Sequence, residues 1–316
     1  MNEQPLISVI APMYNEEDVI AAFIERLQNV MKKHFNSYEI VLVDDGSRDK
    51  TYEIAQSLAD KNPHIRILAF TRNYGHEMAL TAGLEHAHGE YVVQMDSDLQ
   101  HPPELIPELT TKAMSGYDIV YAARKDRRHE TWLKRFTSES FYKIARKMTG
   151  LDLPSDAGNF RIINHKVVSS MRQLKENNRH LLMLYAYVGY KVTSIPFEPE
   201  ARFAGKSKYN YFKLVNLALD SIISFSHRPL RYMSVISLLI TILMMGYAGF
   251  LLIQRLFYEQ HLADGFLSLL LMTSVLFAVL FLFLAIISEY IGRILTESKN
   301  RPLYYIREEY KKDASL

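Results

Sequence analysis

The stretch QMDSDLQHPPE, residues 94–104, sets Asp96 and Asp98 two positions apart, with Gln100 two further on. Two carboxylates and a neutral amide oxygen are hard ligands suited to magnesium or manganese, with positions left over for phosphate oxygens. Alternate side chains of a strand face the same way, so the two carboxylates can converge on one ion, with Gln100 adding a neutral oxygen from the following turn. The competing use is a solvated turn, which the proline pair that follows would also suit. Three other polar clusters stand in the same setting, each directly after a short apolar run: APMYNEE (11–17), VDDGS (43–47) and TRNYGHE (71–77). Taken singly, Asn15 can cap a helix, Asp45-Gly46-Ser47 can turn into a cap at Ser47 or Asp49, and Arg72 can sit solvated in a loop. Four such clusters at successive strand ends point instead to a ligand site, because open α/β sheets bind ligands beyond the carboxyl ends of their strands.

The elements that must hold these residues are legible from period. ISVIAP, YEIVLVDD, IRILAF, YVVQMD and DIVYAA alternate with amphipathic stretches. That pattern predicts an α/β domain with a mostly parallel sheet covered on both faces. NEEDVIAAFIERLQNVMKKHF (15–35) has acids at its start, bases at its end and apolar residues every three or four positions, the marks of a first helix.

Beyond the sheet the composition changes. Residues 232–254 and 265–288 carry no charged residue, and each is long enough to cross a bilayer. Arg228 and Arg231 precede the first run. Arg293, Lys299, Arg301, Arg307, Lys311 and Lys312 follow the second. The bias of basic residues to the cytoplasmic side predicts a hairpin with both flanks in the cytoplasm. YNYFKLVNLALDSIISFSHRPLR (209–231) reads as an interfacial amphipathic helix, with core packing as the alternative, and FYKIARKMTG (141–150) as a second basic amphipathic stretch. The expected order is a cytoplasmic catalytic domain over 1–208, the interfacial helix over 209–231, two spans over 232–288 and a cytoplasmic tail over 289–316. The start MNEQPLISVIAP lacks a basic, apolar leader, so no cleaved signal is expected. A net charge of +2, from 37 basic and 35 acidic residues, leaves no footprint for nucleic acid. The absence of cysteine removes disulfides, thiolate metal sites and cysteine nucleophiles. No G-x-G-x-x-G follows a strand and no H-E-x-x-H occurs, which disfavours dinucleotide oxidoreductases and zinc hydrolases.

Taken together, PMYNE (12–16), VDDGS (43–47), RNYG (72–75), DSDLQHPPE (96–104), SDAGNFR (155–161), RFAGKSKY (202–209) and SEYIGR (288–293) resemble the family 2 glycosyltransferases. The resemblance is to the group that includes dolichyl-phosphate mannose synthase and the bacterial undecaprenyl-phosphate glucosyltransferases. It implies a GT-A fold and inverting, metal-dependent transfer of a sugar from a nucleotide sugar to a polyprenyl phosphate at the plasma (inner) membrane. The donor it suggests is UDP-glucose or UDP-N-acetylglucosamine; GDP-mannose and UDP-aminoarabinose donors share these motifs. Carried onto this chain, it implies a nucleoside pocket of Pro12, Tyr14, Glu16, Asp44, Asp45 and Asp96, with Arg72 near the diphosphate. Asp96, Asp98 and Gln100 would hold Mg2+ or Mn2+. Arg202, Ser207 and Lys208 would close over phosphate, or form a basic loop attracted to anionic lipid. Asp156 would act as base or orient the acceptor, and Arg161 would meet phosphate or an acid, or serve as a structural ion pair. The chain departs from many bacterial relatives at Asn159, where they carry aspartate. A homo-oligomer and a flippase partner are compatible with the resemblance. Processive synthases of the same family carry a Gln-x-x-Arg-Trp motif and more spans, whereas the single tryptophan here, Trp132, lies in RHETW. A catalytically silent membrane scaffold is the rival of another class.

Overall fold

The computed structural model describes residues 6–124, 143, 145–152, 157–198, 228–258 and 265–312. Asp156, Arg202, Ser207, Lys208 and the segment 209–227 lie outside the described residues. The chain forms two units: Met1–Arg146 with Leu151–Leu214 and Arg301–Leu316, and Lys147–Gly150 with Val215–Asn300.

The first unit is built on one eight-stranded sheet. Its strands are β1 (Ile7–Met13), β2 (Tyr38–Asp44), β3 (Ile65–Phe70), β4 (Tyr91–Gln94), β5 (Ile119–Arg124), β6 (Ala157–Asn164), β7 (Val192–Phe197) and β8 (Ile306–Lys311), in the order β7-β5-β6-β4-β1-β2-β3-β8. The first four strands are parallel, as the alternation predicts, and β1 lies centrally between β2 and β4. All seven residues of β1 are buried, which is why it reads as a continuous apolar run. Helices α1 (Ile20–His34), α2 (Thr51–Ala59), α3 (His76–His86) and α4 (Ile106–Met114) form the crossovers between successive strands. Helix α1 turns Ile20, Phe23, Ile24, Leu27, Val30 and Met31 inward, the period of one helical face. Each such side chain, fully buried, contributes about 1.5–3 kcal/mol.

Three strands depart from the sequence expectation. The fifth apolar run, β5, does not join β4: β6 wedges between them, antiparallel to both, and β7 runs parallel to β5 beyond it. Helices α5 (His165–Gln173) and α6 (Leu181–Val188) fill the link from β6 to β7. The 289–316 segment is more than a tail, since it re-enters the first unit as β8, paired antiparallel with the edge of β3. The polar face of IREEYK disguises it as tail. An edge strand needs no apolar alternation when one side stays in water.

The second unit carries α7 (Arg228–Tyr258) and α8 (Gly265–Ser298), of 31 and 34 residues. Both extend past the apolar runs read from the sequence; at about 1.5 Å per residue each outreaches a hydrocarbon core of about 30 Å. The windows Leu230–Tyr247 and Met272–Ser298 are long and apolar enough to cross a membrane. Their side chains are exposed rather than packed, Leu243 at 68% and Phe281 at 65%. A core helix of a water-soluble fold would bury such residues.

Candidate active site

The ends of β1, β2 and β3 are laced together by their own loops. Past β1, Asn15 takes a left-handed φ of 53° and does not cap α1. Its amide donates to Ser47 Oγ at 3.1 Å, and its side-chain oxygen accepts from the Arg48 amide at 2.9 Å. The Glu16 amide donates to Thr51 Oγ1 at 2.8 Å, and Glu17 accepts from the Lys50 amide at 3.1 Å. Of the acids ahead of the first helix, Glu17 thus spends its carboxylate on the neighbouring loop. Asp44 accepts from the Ser47 amide at 3.2 Å. Asp45 accepts from the amides of Tyr74 at 2.6 Å and Gly75 at 2.9 Å, so it ties the second loop to the third. Both carboxyls are buried, and burial raises their pKa values above the ordinary carboxylate range. Gly46 sits between these loops with φ 70°, and a Cβ there would lie 2.5 Å from the Arg72 carbonyl carbon. Only glycine meets both conditions. Arg72 lies exposed with its guanidinium 4.0 Å above the Tyr74 ring.

Pro12 links this lattice to the fourth loop, its carbonyl accepting from Ser97 Oγ at 2.8 Å. Strand β4 ends at Gln94, so Asp96 and Asp98 stand beyond the ladder rather than on it. The alternation survives all the same. Met95, Ser97 and Leu99 are buried while Asp96, Asp98 and Gln100 face the open side. The Gln100 amide donates to Asp98 Oδ1 at 3.1 Å, and Leu99 turns the chain with φ 62°. Asp96 Oδ1 is shielded from solvent and accepts no hydrogen bond. A buried carboxylate oxygen whose neighbour is His76 Nε2 at 3.3 Å, beside the other hard oxygens of this turn, fits a divalent cation. Among the described residues no three His, Cys, Asp or Glu side chains are placed to hold a metal ion. The oxygens that this turn offers are two carboxylates and an amide.

Two histidines without an assigned role in the sequence reading frame this corner. His101, in the same DSDLQHPPE stretch, is 3% exposed and stacks on Phe160 at 5.1 Å. Its Nδ1 accepts from the Asp96 amide at 3.0 Å, and burial lowers its pKa, so it is held neutral. His76 opens α3 with Nε2 3.3 Å from Asp96 Oδ1 and 3.0 Å from Asn159 Nδ2. Asn159, where the resemblance leads one to expect aspartate, therefore contacts the candidate metal turn through one imidazole. A histidine two or three residues past paired acids, or after a glycine that ends a strand loop, is the signal that could have found them.

Arg161 is 1% exposed in β6, directly across the ladder from Gln94 and Tyr121. Its guanidinium lies 5.0 Å from the Tyr121 ring and 4.8 Å from that of Tyr185 on α6. It donates to the Gly158 carbonyl at 3.0 Å, while Nη1 makes no hydrogen bond. Among the described residues it forms no salt bridge. Tyr185 donates to Gln94 Oε1 at 3.1 Å, leaving Gln94 Nε2 buried without a partner. No periodicity announces Tyr185: the fold alone brings α6 over this row.

The model of a family described as Glycosyl transferase family 2 matches residues 8–172. An uncharacterised glycosyltransferase of Synechocystis is 42% identical over 302 residues, covering 96% of this chain and 95% of its own. The bactoprenol glucosyl transferase of Shigella phage SfV is 38% identical over 306 residues, covering 97% and 99%. In fold, the chain is similar to glucosyl-3-phosphoglycerate synthase of Mycobacterium tuberculosis, solved with Mn2+, UDP-glucose and phosphoglyceric acid. That match has a TM-score of 0.50 at 16% identity over 70% of this chain and 78% of the other. Mannosyl-3-phosphoglycerate synthase of Rubrobacter xylanophilus gives 0.50 at 13%, over 72% and 74%.

Proposed function

The chain belongs to glycosyl transferase family 2, and from that premise we propose that it transfers glucose from UDP-glucose to undecaprenyl phosphate at the cytoplasmic face of a membrane. The observation that carries the reading is the likeness to bactoprenol glucosyl transferase over 97% of the chain, both long apolar helices included.

In this reading the laced loops after β1 to β3 receive the nucleoside, with Pro12, Tyr14 and Glu16 at the rim and Asp44 and Asp45 as acceptors. Arg72 stands at the diphosphate end. Asp96, Asp98 and Gln100 hold Mg2+ or Mn2+, which when bound supplies charge neutralisation for the departing diphosphate. His101 fixes the Asp96 backbone and Arg161 holds the start of β6 through the Gly158 carbonyl. Asp156, Arg202, Ser207 and Lys208 are assigned to the acceptor phosphate. A phosphate monoester has a second pKa of about 6, so the attacking oxygen is largely ionised at neutral pH. It needs placing more than deprotonating, and Asn159 in place of a carboxylate is no obstacle. Attack opposite the leaving group inverts the anomeric carbon.

Lipid extraction and chromatography after incubating the purified chain with undecaprenyl phosphate, Mg2+ or Mn2+ and labelled UDP-glucose test this. A glucosylated lipid is expected. Label reaching lipid only from UDP-N-acetylglucosamine, UDP-aminoarabinose or GDP-mannose would correct the sugar; no lipid product from any donor would overturn the enzyme and favour a silent scaffold.

A further inference from the structure

The C-terminal strand lies well outside the matched family region, which ends at residue 172, yet it is built against the donor loops. Tyr304 stacks on the buried ring of Phe70 at 4.9 Å and 22°. Phe70 in turn meets Tyr74 edge-on at 5.6 Å, and the Thr71 amide donates to the Tyr305 carbonyl at 3.0 Å. The Tyr304 hydroxyl donates to Glu85 on α3. Residues 304 and 305 therefore hold the start of the run from Phe70 to Tyr74, and the Phe70 ring relays that contact to Tyr74, whose amide and that of Gly75 hold Asp45.

The β3–β8 register reinforces this. Ala69 pairs with Glu308 and Phe70 with Ile306, so Arg307 is an extra residue in a bulge at the pair nearest the site. Bulges re-aim side chains, and here the Arg307 guanidinium lies 5.2 Å from the ring of Tyr52 on α2. That is the helix whose Thr51 hydroxyl accepts from the Glu16 amide. The same positive charge works against the burial that raises the Asp44 pKa.

The plain alternative is that β8 merely covers an exposed edge. Edge cover is supplied by the other end of the strand, where Glu309 pairs with Arg66 at 3.3 Å and Tyr310 donates to Asp60. It requires neither a stacked ring at the strand's entry nor a bulge beside the donor loops.

We propose that Tyr304, entering β8, is a positioning residue for the donor nucleotide: through Phe70 it braces the Thr71–Gly75 loop that fixes Asp45, so that nucleotide affinity depends on the chain end returning from the second apolar helix. The proposal rests on the donor reading above and specifies how that site is kept in shape.

Calorimetric titration of UDP with Mn2+ into the full chain in detergent tests it, with KM values for donor and lipid phosphate measured alongside. Tyr304→Ala is expected to weaken UDP binding about tenfold, the scale of a lost aromatic pair, and to raise the donor KM while leaving the acceptor KM unchanged. Tyr304→Phe, which keeps the ring and loses only the bond to Glu85, restores wild-type affinity. Glu309→Gln, at the distal end, lowers the melting temperature without changing UDP affinity. UDP binding by Tyr304→Ala within twofold of wild type overturns the proposal, as does equal weakening in Glu309→Gln. Should Tyr304→Ala not fold, Tyr304→Leu carries the same comparison. Wild-type protein that binds no UDP overturns the donor reading itself, a result distinct from binding that Tyr304 does not influence.

Discussion

The two halves of the site satisfy their polar atoms in opposite ways. On the β1–β3 side, Asp45, Asn15 and Glu17 are met by backbone amides from neighbouring loops, and Asp44 by the Ser47 amide of its own loop. On the β4–β6 side, Gln94 Nε2, Arg161 Nη1 and His180 Nδ1 are buried with no hydrogen bond among the described residues, and Asp96 Oδ1 has only an ion-pair-length approach from His76 Nε2 at 3.3 Å. An unmet buried group costs about 1–3 kcal/mol, so a fold keeps several together only where they have another use. In the proposed reading the first half is a cradle shaped before any ligand arrives, with the Tyr52 hydroxyl its one buried group lacking a hydrogen bond among the described residues beside the site. In the same reading the second holds its charges for groups that come with the substrates.

If that contrast is right, substitutions on the open side should cost turnover and those on the laced side should cost affinity and stability. The largest effect is expected at Asp98→Ala: a loss of about a thousandfold in kcat, read as labelled sugar reaching lipid, with the melting temperature almost unchanged. A loss of stability as large as the loss of turnover would break the comparison. Arg161→Met should lower turnover about a hundredfold while holding or raising the melting temperature, because an apolar chain of similar length replaces a buried cation that has no carboxylate partner among the described residues. Collapse of the fold would make Arg161 a purely structural group.

Asp45→Asn belongs to the laced side. It keeps the shape but weakens two amide contacts, and an increase of about tenfold in the UDP dissociation constant is expected, with a loss of about 1–2 kcal/mol in denaturant unfolding. Turnover at saturating donor should stay within a few-fold of wild type; a drop like that of Asp98→Ala would erase the distinction. The smallest effect is a pH dependence. Burial lowers the His180 pKa in the folded state, so below about pH 6.5 the unfolded chain takes up the proton first and stability falls as pH drops. Between pH 7.5 and 5.5 the wild type should lose about a degree or two more in melting temperature than His180→Asn, which cannot titrate. Parallel curves would show that this imidazole carries no stored cost.

What the sequence determined by itself was the part governed by local period and neighbour spacing. Four buried parallel strands announce themselves as apolar runs, and polar clusters follow within a few residues of their ends, so the cluster at the ends of β1 to β4 could be read directly. The two long apolar helices were legible for the same reason. Tertiary structure decided what depends on pairing across distance. Strand β6 was to be found only by its insertion between β4 and β5, which sets Gln94, Arg161 and Tyr121 in one row under Tyr185. The Tyr304–Phe70 stack joins residues 234 positions apart by subtraction of their numbers, and nothing in IREEYK marks it as a strand of the sheet. Period reports which face of an element is buried; it does not carry the identity of the partner, because that is settled by the packing of the whole sheet.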